Sequence, residues 1–143
     1  IIEGSAGAGS SLGRDLHELR QLKDIFAAYM PTKICIDTCH LYAGGLVDFN
    51  DPKNYDEFLT EFDAIVGLKD LVVVHLNDSI GEFDSKRDRH ENLGEGTIGH
   101  DGLKKVVRDT NLKNCDFILE VPGRGTRKGP ECDDVDVAKS YRK

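Results

Sequence analysis

No apolar run in the 143-residue sequence approaches the length of a membrane span, and no signal-peptide pattern opens it. The four cysteines lack paired C-x-x-C spacing, which leaves neither a zinc ribbon nor a disulfide framework. Cys35, Cys39 and Cys115 fall in or beside predicted buried strands, where a free thiol behaves as a small hydrophobe. A reducing, intracellular compartment is therefore expected. Positive charge is not in excess: the net charge of −7 argues mildly against bulk attraction to nucleic acid. Carboxylates gathered to hold cations would enter that same total, so overall charge does not decide the partner. There is no G-x-x-x-x-G-K-[ST] phosphate loop, and the small-residue stretch 4–13 reads first as a strand-to-helix connection. No fixed-period repeat is visible. An initiating Met is also lacking, and Ile1 already lies in an apolar strand, so upstream sequence is expected to be missing.

What the sequence does contain is a set of apolar runs that end in metal-ligand side chains. The stretch Lys33-Ile34-Cys35-Ile36-Asp37-Thr38-Cys39-His40 reads as a short buried strand, 34–36, closed by a carboxylate and then an imidazole. A carboxylate at the end of an apolar run is tolerated only if it is paired, hydrogen-bonded or metal-bound. Ile1-Ile2 ends likewise in Glu3, residues 71–74 in His75, and residues 117–119 in Glu120. Between these runs lie helical patterns at 15–30 (Leu16, Leu19, Leu22, Ile25, Phe26), 55–66 (Phe58, Phe62, Ile65) and 101–109, with a last short helix at 135–141. The run 71–76 is a continuous β-branched strand of the kind buried in parallel sheets, and 115–121 is the fourth strand. The loop 77–100 is long enough to expect a function for it.

Alternating strands and helices predict parallel βα units with right-handed crossovers and a site at the carboxyl ends of the strands. An α/β barrel takes about 250 residues. The chain is accordingly expected to supply four of the eight units of a TIM (β/α)8 barrel, with residues 1–143 forming one half of a single domain. Carboxylates and imidazoles without thiolates suit Zn²⁺, Mn²⁺ or Fe²⁺ at a catalytic centre. Asp88-Arg89-His90 adds an alternating pair: Asp88 and His90 can grip one ion while Arg89 points the other way. Any one strand-end acid is more often a salt-bridge or capping partner, and His75 alone could be a hydrogen-bonded core residue. Together they read as a cluster of two or more ions, of the kind that hydrolyses phosphate esters. His17 is expected to be solvated and His100 structural. Lys86 and Arg87 stand equally as a solvated loop tip or a phosphate contact.

At these residues the sequence resembles the endonuclease IV family of apurinic/apyrimidinic endonucleases. The matching stretches are Cys35-Ile36-Asp37-Thr38-Cys39-His40, His75-Leu76-Asn77-Asp78, Asp88-Arg89-His90 with Leu93-Gly94-Glu95-Gly96 and Ile98-Gly99-His100, and Ile118-Leu119-Glu120. Glu3 before Ala6-Gly7 and Gly9-Ser10 fits as well. The resemblance runs almost end to end and looks like the carboxyl-terminal half of a member. It implies a TIM barrel with three zinc ions that cleaves double-stranded DNA 5′ to abasic sites, in the cytoplasm or, in a eukaryote, the nucleus. By the resemblance, Glu3 bridges the first and second ions, and Asp37, His75 and Glu120 complete the second. His40, Asp88 and His90 hold the third. Glu120 also orients the attacking hydroxide, and Arg89 occupies a position suited to contacting DNA phosphate; Lys86 and Arg87 are expected at the rim of the cleft, because a DNA substrate needs local phosphate contacts. Arg124 and Arg127 are expected to extend that rim. Gly4-Ser5 departs from the usual Asn-Thr, and two histidines of the first ion's site belong to the missing amino-terminal half. Two other readings stay open: a metal-dependent sugar isomerase of the xylose-isomerase-like barrel group, and a non-catalytic half-barrel that binds metal or a partner subunit.

Overall fold

In the computed structural model, which describes residues 1–143, four strands form one parallel sheet. These are β1 (Ile2–Glu3), β2 (Ile34–Asp37), β3 (Leu71–His75) and, after a two-stranded hairpin of β4 (Asp78–Ser79) and β5 (His90–Glu91), β6 (Asp116–Ile118). The sheet order is β1-β2-β3-β6, which follows the chain. Five α-helices connect or follow the strands: α1 (Leu16–Ala27), α2 (Thr38–Ala43), α3 (Pro52–Ile65), α4 (Gly99–Arg108) and α5 (Cys132–Ser140). All four residues of β2 are buried, as a strand covered on both faces requires. Ile34, Ile36 and Val74 of the sheet join Tyr55, Phe58 and Phe62 of α3 and Leu103 and Val106 of α4 in one continuous core.

Local chemistry sets the helix boundaries. Asp15 caps α1 by accepting from the Glu18 N–H at 2.9 Å. Asp51 caps α3, with Pro52 in the first turn, where its missing N–H is harmless. Glu131 and Asp134 cap α5 reciprocally, so this helix begins before residue 135. Helix α1 ends at Ala27, short of the expected residue 30. Met30 precedes Pro31, and the proline ring disfavours helical geometry at the residue before it. Asp70 gathers Lys23 and, at 2.7 Å, Lys33, tying α1 to the start of β3. Hydrogen bonds from those two amines hold its carboxyl at about 2.

Three segments differ from the sequence reading. The fourth strand pairs only over Asp116–Ile118, at the sheet edge, and the chain runs on to Val121 outside the ladder. Residues 38–43, which lie outside every helical pattern read from the sequence, form α2, which starts at once after Asp37. The long loop 77–100 contains the β4–β5 hairpin, in which Asp78 pairs with Glu91 and Ser79 with His90. That hairpin is held by Asp78, which is fully buried. Its two carboxylate oxygens accept from the N–H groups of Ser79, Gly94, Gly96, Ile98 and Gly99 at 2.8 to 3.3 Å. A Cβ on Gly96 would stand 2.6 Å from Asp78 Oδ1, so only glycine lets the backbone approach there.

Candidate metal centre

Register decides which side chains meet. Glu3 lies beside Cys35, Asp37 beside His75, and His75 beside Ile118. Laterally paired residues of parallel strands share a face, and residues two apart on one strand share it too. Glu3, Cys35, Asp37, His75 and Glu120 therefore converge on one side at the carboxyl end of the sheet. One ligand atom from each of Glu3, Asp37, His75 and Glu120 lies within 4.8 Å of the others. His75 Nδ1 is central: 3.1 Å from Glu120 Oε2, 3.2 Å from Glu3 Oε1 and 3.8 Å from Asp37 Oδ2.

A second group adjoins the first through Asp37. Ligand atoms of Asp37, His40 and His90 again lie within 4.8 Å of one another. Asp88 sits between the two imidazoles, with Oδ2 3.1 Å from His40 Nε2 and Oδ1 3.2 Å from His90 Nε2. Helix α2 aims His40 at this point. Asp37 Oδ1 accepts from the N–H groups of Cys39 at 2.7 Å and His40 at 3.2 Å. Asp37 is thus both a helix cap and a member of the cluster, with Oδ1 engaged by the cap and Oδ2 left facing the histidines.

The hydrogen bonds of the histidines test whether a cation fits. His40 Nδ1 lies 2.9 Å from the Gly4 carbonyl, which can only accept, so that nitrogen carries hydrogen. A neutral His40 then turns the lone pair of Nε2 onto the Asp88 carboxylate, an arrangement that needs a proton or a metal ion between them. His90 repeats the pattern: Nδ1 lies 3.2 Å from the Glu120 carbonyl, and the buried Nε2, 3.2 Å from Asp88 Oδ1, is not aligned in a hydrogen bond. Imidazoles anchored through one nitrogen by a carbonyl, with the other turned inward, are typical of metal ligation. The donor set of carboxylate oxygen and imidazole nitrogen fits a divalent ion such as zinc.

Electrostatics point the same way. Burial depresses the His40 imidazole, but the Glu3 hydrogen bond, the Asp37 charge, the Gly4 carbonyl and the Asp88 charge outweigh it and raise the pKa to about 10. Glu3 is held below the ordinary carboxylate value, first by its hydrogen bond to His40. Burial pushes Asp37 upward, against the nearby His40 and His90 charges and the Asn77 amide. Negative groups packed this closely demand positive charge, supplied by a proton or by a metal. The thiols of Cys35 and Cys39 also reach these groups, a proximity the spacing of the sequence does not reveal. Burial raises them to about 12 and about 11, so they remain protonated thiols at neutral pH.

The flank of the cluster is basic. Lys86, Arg87 and Arg89 line a groove of about 500 Å³ together with Ala8, Ile80, Gly81 and Asp88. Arg89 and Asp88 are on its wall together, although Arg89 also donates to the Asp88 carbonyl at 2.8 Å. Arg124 is not a free rim residue: it pairs with Glu95, lies 3.1 Å from Asp134 and donates to the Leu93 carbonyl. Arg127 is paired as well, donating to the Glu91 carboxylate at 3.4 Å. His17 is exposed on α1, and His100 meets the Tyr141 hydroxyl at 2.7 Å, outside the cluster. Asn77 and Asp78, named above only as part of a motif, are fully buried supports of the site.

Comparison with known proteins matches this architecture. Residues 1–141 fit the xylose isomerase-like TIM barrel family. A probable endonuclease 4 of Halothermothrix orenii is 41% identical over 122 residues, covering 85% of this chain and 44% of that protein. An apurinic-apyrimidinic endonuclease of Caenorhabditis elegans is 38% identical over 122 residues, covering 85% of this chain and 31% of that protein. The crystal structure of endonuclease IV from Thermus thermophilus superposes with a TM-score of 0.80 at 35% identity, over 99% of this chain and 48% of that one. The chain thus spans less than half the length of these relatives. Its four parallel βα units, its strand-end cluster and these matches agree: the chain belongs to the xylose isomerase-like TIM barrel family, among relatives named as endonuclease 4.

Proposed function

We propose that the complete protein containing this chain is a zinc-dependent apurinic/apyrimidinic endonuclease of base excision repair. It hydrolyses the phosphodiester 5′ to an abasic site in double-stranded DNA and leaves a 3′-hydroxyl. The observation that carries this reading is a pair of adjoining ligand groups that share Asp37 beside a groove lined by Lys86, Arg87 and Arg89. Glu3, Asp37, His75 and Glu120 hold one part of the metal cluster, and His40, Asp88 and His90 the other. Bound there, divalent ions supply Lewis acidity at the phosphoryl oxygens and acidify water near neutral pH. The same oxygen and nitrogen donors accept Mn²⁺ or Fe²⁺.

The chain's own residues do the rest. The Glu120 carboxylate, partly exposed at the mouth of the cluster, accepts a hydrogen bond from the attacking water and orients it. Arg89, Lys86 and Arg87 position the DNA backbone through its phosphates. An abasic nucleotide has no base to unstack, so extruding it costs a few kcal/mol less than flipping a paired one. That difference favours the damaged strand. The remaining length of the barrel supplies what this chain does not, and the reaction is intracellular. No helix is long and apolar enough to cross a membrane.

The complete protein is expected to incise an oligonucleotide duplex with one abasic site, to lose the activity to a chelator and to regain it with zinc. Aldose–ketose interconversion with no incision would establish the isomerase reading instead. Metal uptake without either reaction would establish the non-catalytic one. The set of His40, Asp88 and His90 beside basic side chains favours the nuclease over both. Arg89→Ala is expected to weaken DNA binding and to reduce the log–log salt slope by about one unit. Binding measured from low to moderate salt checks this, and an unchanged slope with unchanged affinity removes Arg89 from the interface.

A further inference from the structure

Asn77 lies just past the end of β3 and has no solvent exposure. Its backbone is locked to α2: the N–H donates to Thr38 Oγ1 at 2.9 Å, and the carbonyl accepts from the same hydroxyl at 2.6 Å. The side chain is left to reach both neighbouring strand ends. Nδ2 donates to Asp37 Oδ2 at 2.7 Å, and Oδ1 accepts from the Glu120 N–H at 2.8 Å. Because a peptide N–H can only donate, the Glu120 bond forces the amide oxygen to that side and the amide nitrogen toward Asp37. The amide orientation is therefore unambiguous.

Three cluster residues depend on this one amide. Asp37 Oδ1 is engaged by the N–H groups of α2, so Asn77 is the group that sets the direction of Oδ2. That oxygen then lies 3.5 Å from His90 Nε2 and 3.8 Å from His75 Nδ1, between the two parts of the cluster. The Glu120 main chain is pinned by its N–H to Asn77, and its carbonyl in turn faces His90 Nδ1 at 3.2 Å. A single buried side chain thus links β2, β3, the segment after β6 and β5.

Given the metal centre proposed above, we propose that Asn77 is its positioning residue, holding Asp37, Glu120 and His90 at the mutual geometry that zinc requires. Asn77 binds neither metal nor substrate. It acts through the hydrogen bonds that orient those that do, and loss of such outer partners lowers metal affinity by about 10- to 100-fold.

The test uses the complete protein, with zinc alone as the probe in a chelator-competition titration. Cobalt-substituted absorption spectra report ligand geometry. Asn77→Leu keeps the number and branching of the side-chain heavy atoms and removes both hydrogen bonds. Asn92→Leu is the control, since Asn92 is equally buried but binds the Gly123 N–H and Glu95 rather than a proposed ligand. Asn77→Leu is expected to weaken zinc binding about 10- to 100-fold and to shift the cobalt bands. It should lower kcat at limiting zinc with KM for DNA unmoved. Asn92→Leu is expected to lower the melting temperature with zinc affinity unchanged. Should Asn77→Leu not fold, Asn77→Ser, too short to reach both partners, is expected to show the same zinc deficit. Wild-type zinc affinity in the folded Asn77 variant, or an equal loss in Asn92→Leu, overturns the inference. Failure of the wild-type protein to bind zinc would be a different result, removing the metal centre itself.

Discussion

His75→Ala in the complete protein is expected to lower abasic-site incision by on the order of 10³-fold, the equivalent of several kcal/mol of metal-derived stabilisation. The reason is its central place: Nδ1 lies between 3.1 and 3.8 Å from carboxylate oxygens of Glu120, Glu3 and Asp37. Without the imidazole, three carboxylates converge with no nitrogen donor among them. Bound zinc, counted by metal analysis, should fall by at least one ion per chain. Incision of a labelled abasic duplex, read beside the melting temperature, separates this from unfolding. Substituting the exposed His17 supplies the comparison and should leave incision as it was. Near-normal cleavage by folded His75→Ala would remove His75 from the centre.

On the proposed function, part of the metal cluster is held by the other half of the barrel, so the 143-residue chain by itself is expected to cleave abasic DNA at least about 10³-fold more slowly than the complete protein. Strands β1 and β6 are both sheet edges whose outer backbone groups have no ladder partner. Apolar surface lies open at each: Ile1, next to β1, is 74% exposed, while Ile118 of β6 and the nearby Val135 are 44% and 40% exposed. Such edges invite association. Zinc binding by the group of His40, Asp88 and His90 should persist in weakened form, because the hairpin and α2 that carry it are contained in this chain. Adding the remainder of the barrel as a separate polypeptide is expected to restore cleavage, since parallel βα units can complete a sheet without a covalent link. Robust, zinc-dependent incision by the chain alone, lost in its His75→Ala form, would show the half-barrel to be self-sufficient.

The strand-end cluster is legible in the sequence because its signal is local. A buried apolar run that stops at an acid or an imidazole places that side chain at the sheet end with no knowledge of the rest of the fold. Neighbouring runs repeat the message at Glu3, Asp37, His75 and Glu120. Helix α2 is not legible for a related reason. Its one start signal is Asp37, which the strand-end pattern claims for the cluster, whereas in the structure its two oxygens serve the two roles separately. The β4–β5 pairing is two residues a side, too short for any alternation to show. Asn77 is invisible to pattern reading, since its importance lies in reaching Asp37 and Glu120, forty and forty-three residues away in sequence. The fourth strand reads too long because its apolar residues continue past the point where the ladder ends. Arg124 reads as a rim residue because nothing in its sequence neighbours announces Glu95 and Asp134.

On the proposed function, the carboxylate of Asp78 bears on how a DNA substrate would approach. Four inward-pointing N–H groups on a glycine-rich turn, of Gly94, Gly96, Ile98 and Gly99, are what other proteins present to a phosphate. Here a side chain of the same polypeptide already fills that cradle. The turn is a self-liganded anion site, closed to any anion from solution. On the proposed function, a DNA substrate would find no backbone cradle at this turn, and its phosphates would be left to the side-chain cations of the groove, Lys86, Arg87 and Arg89.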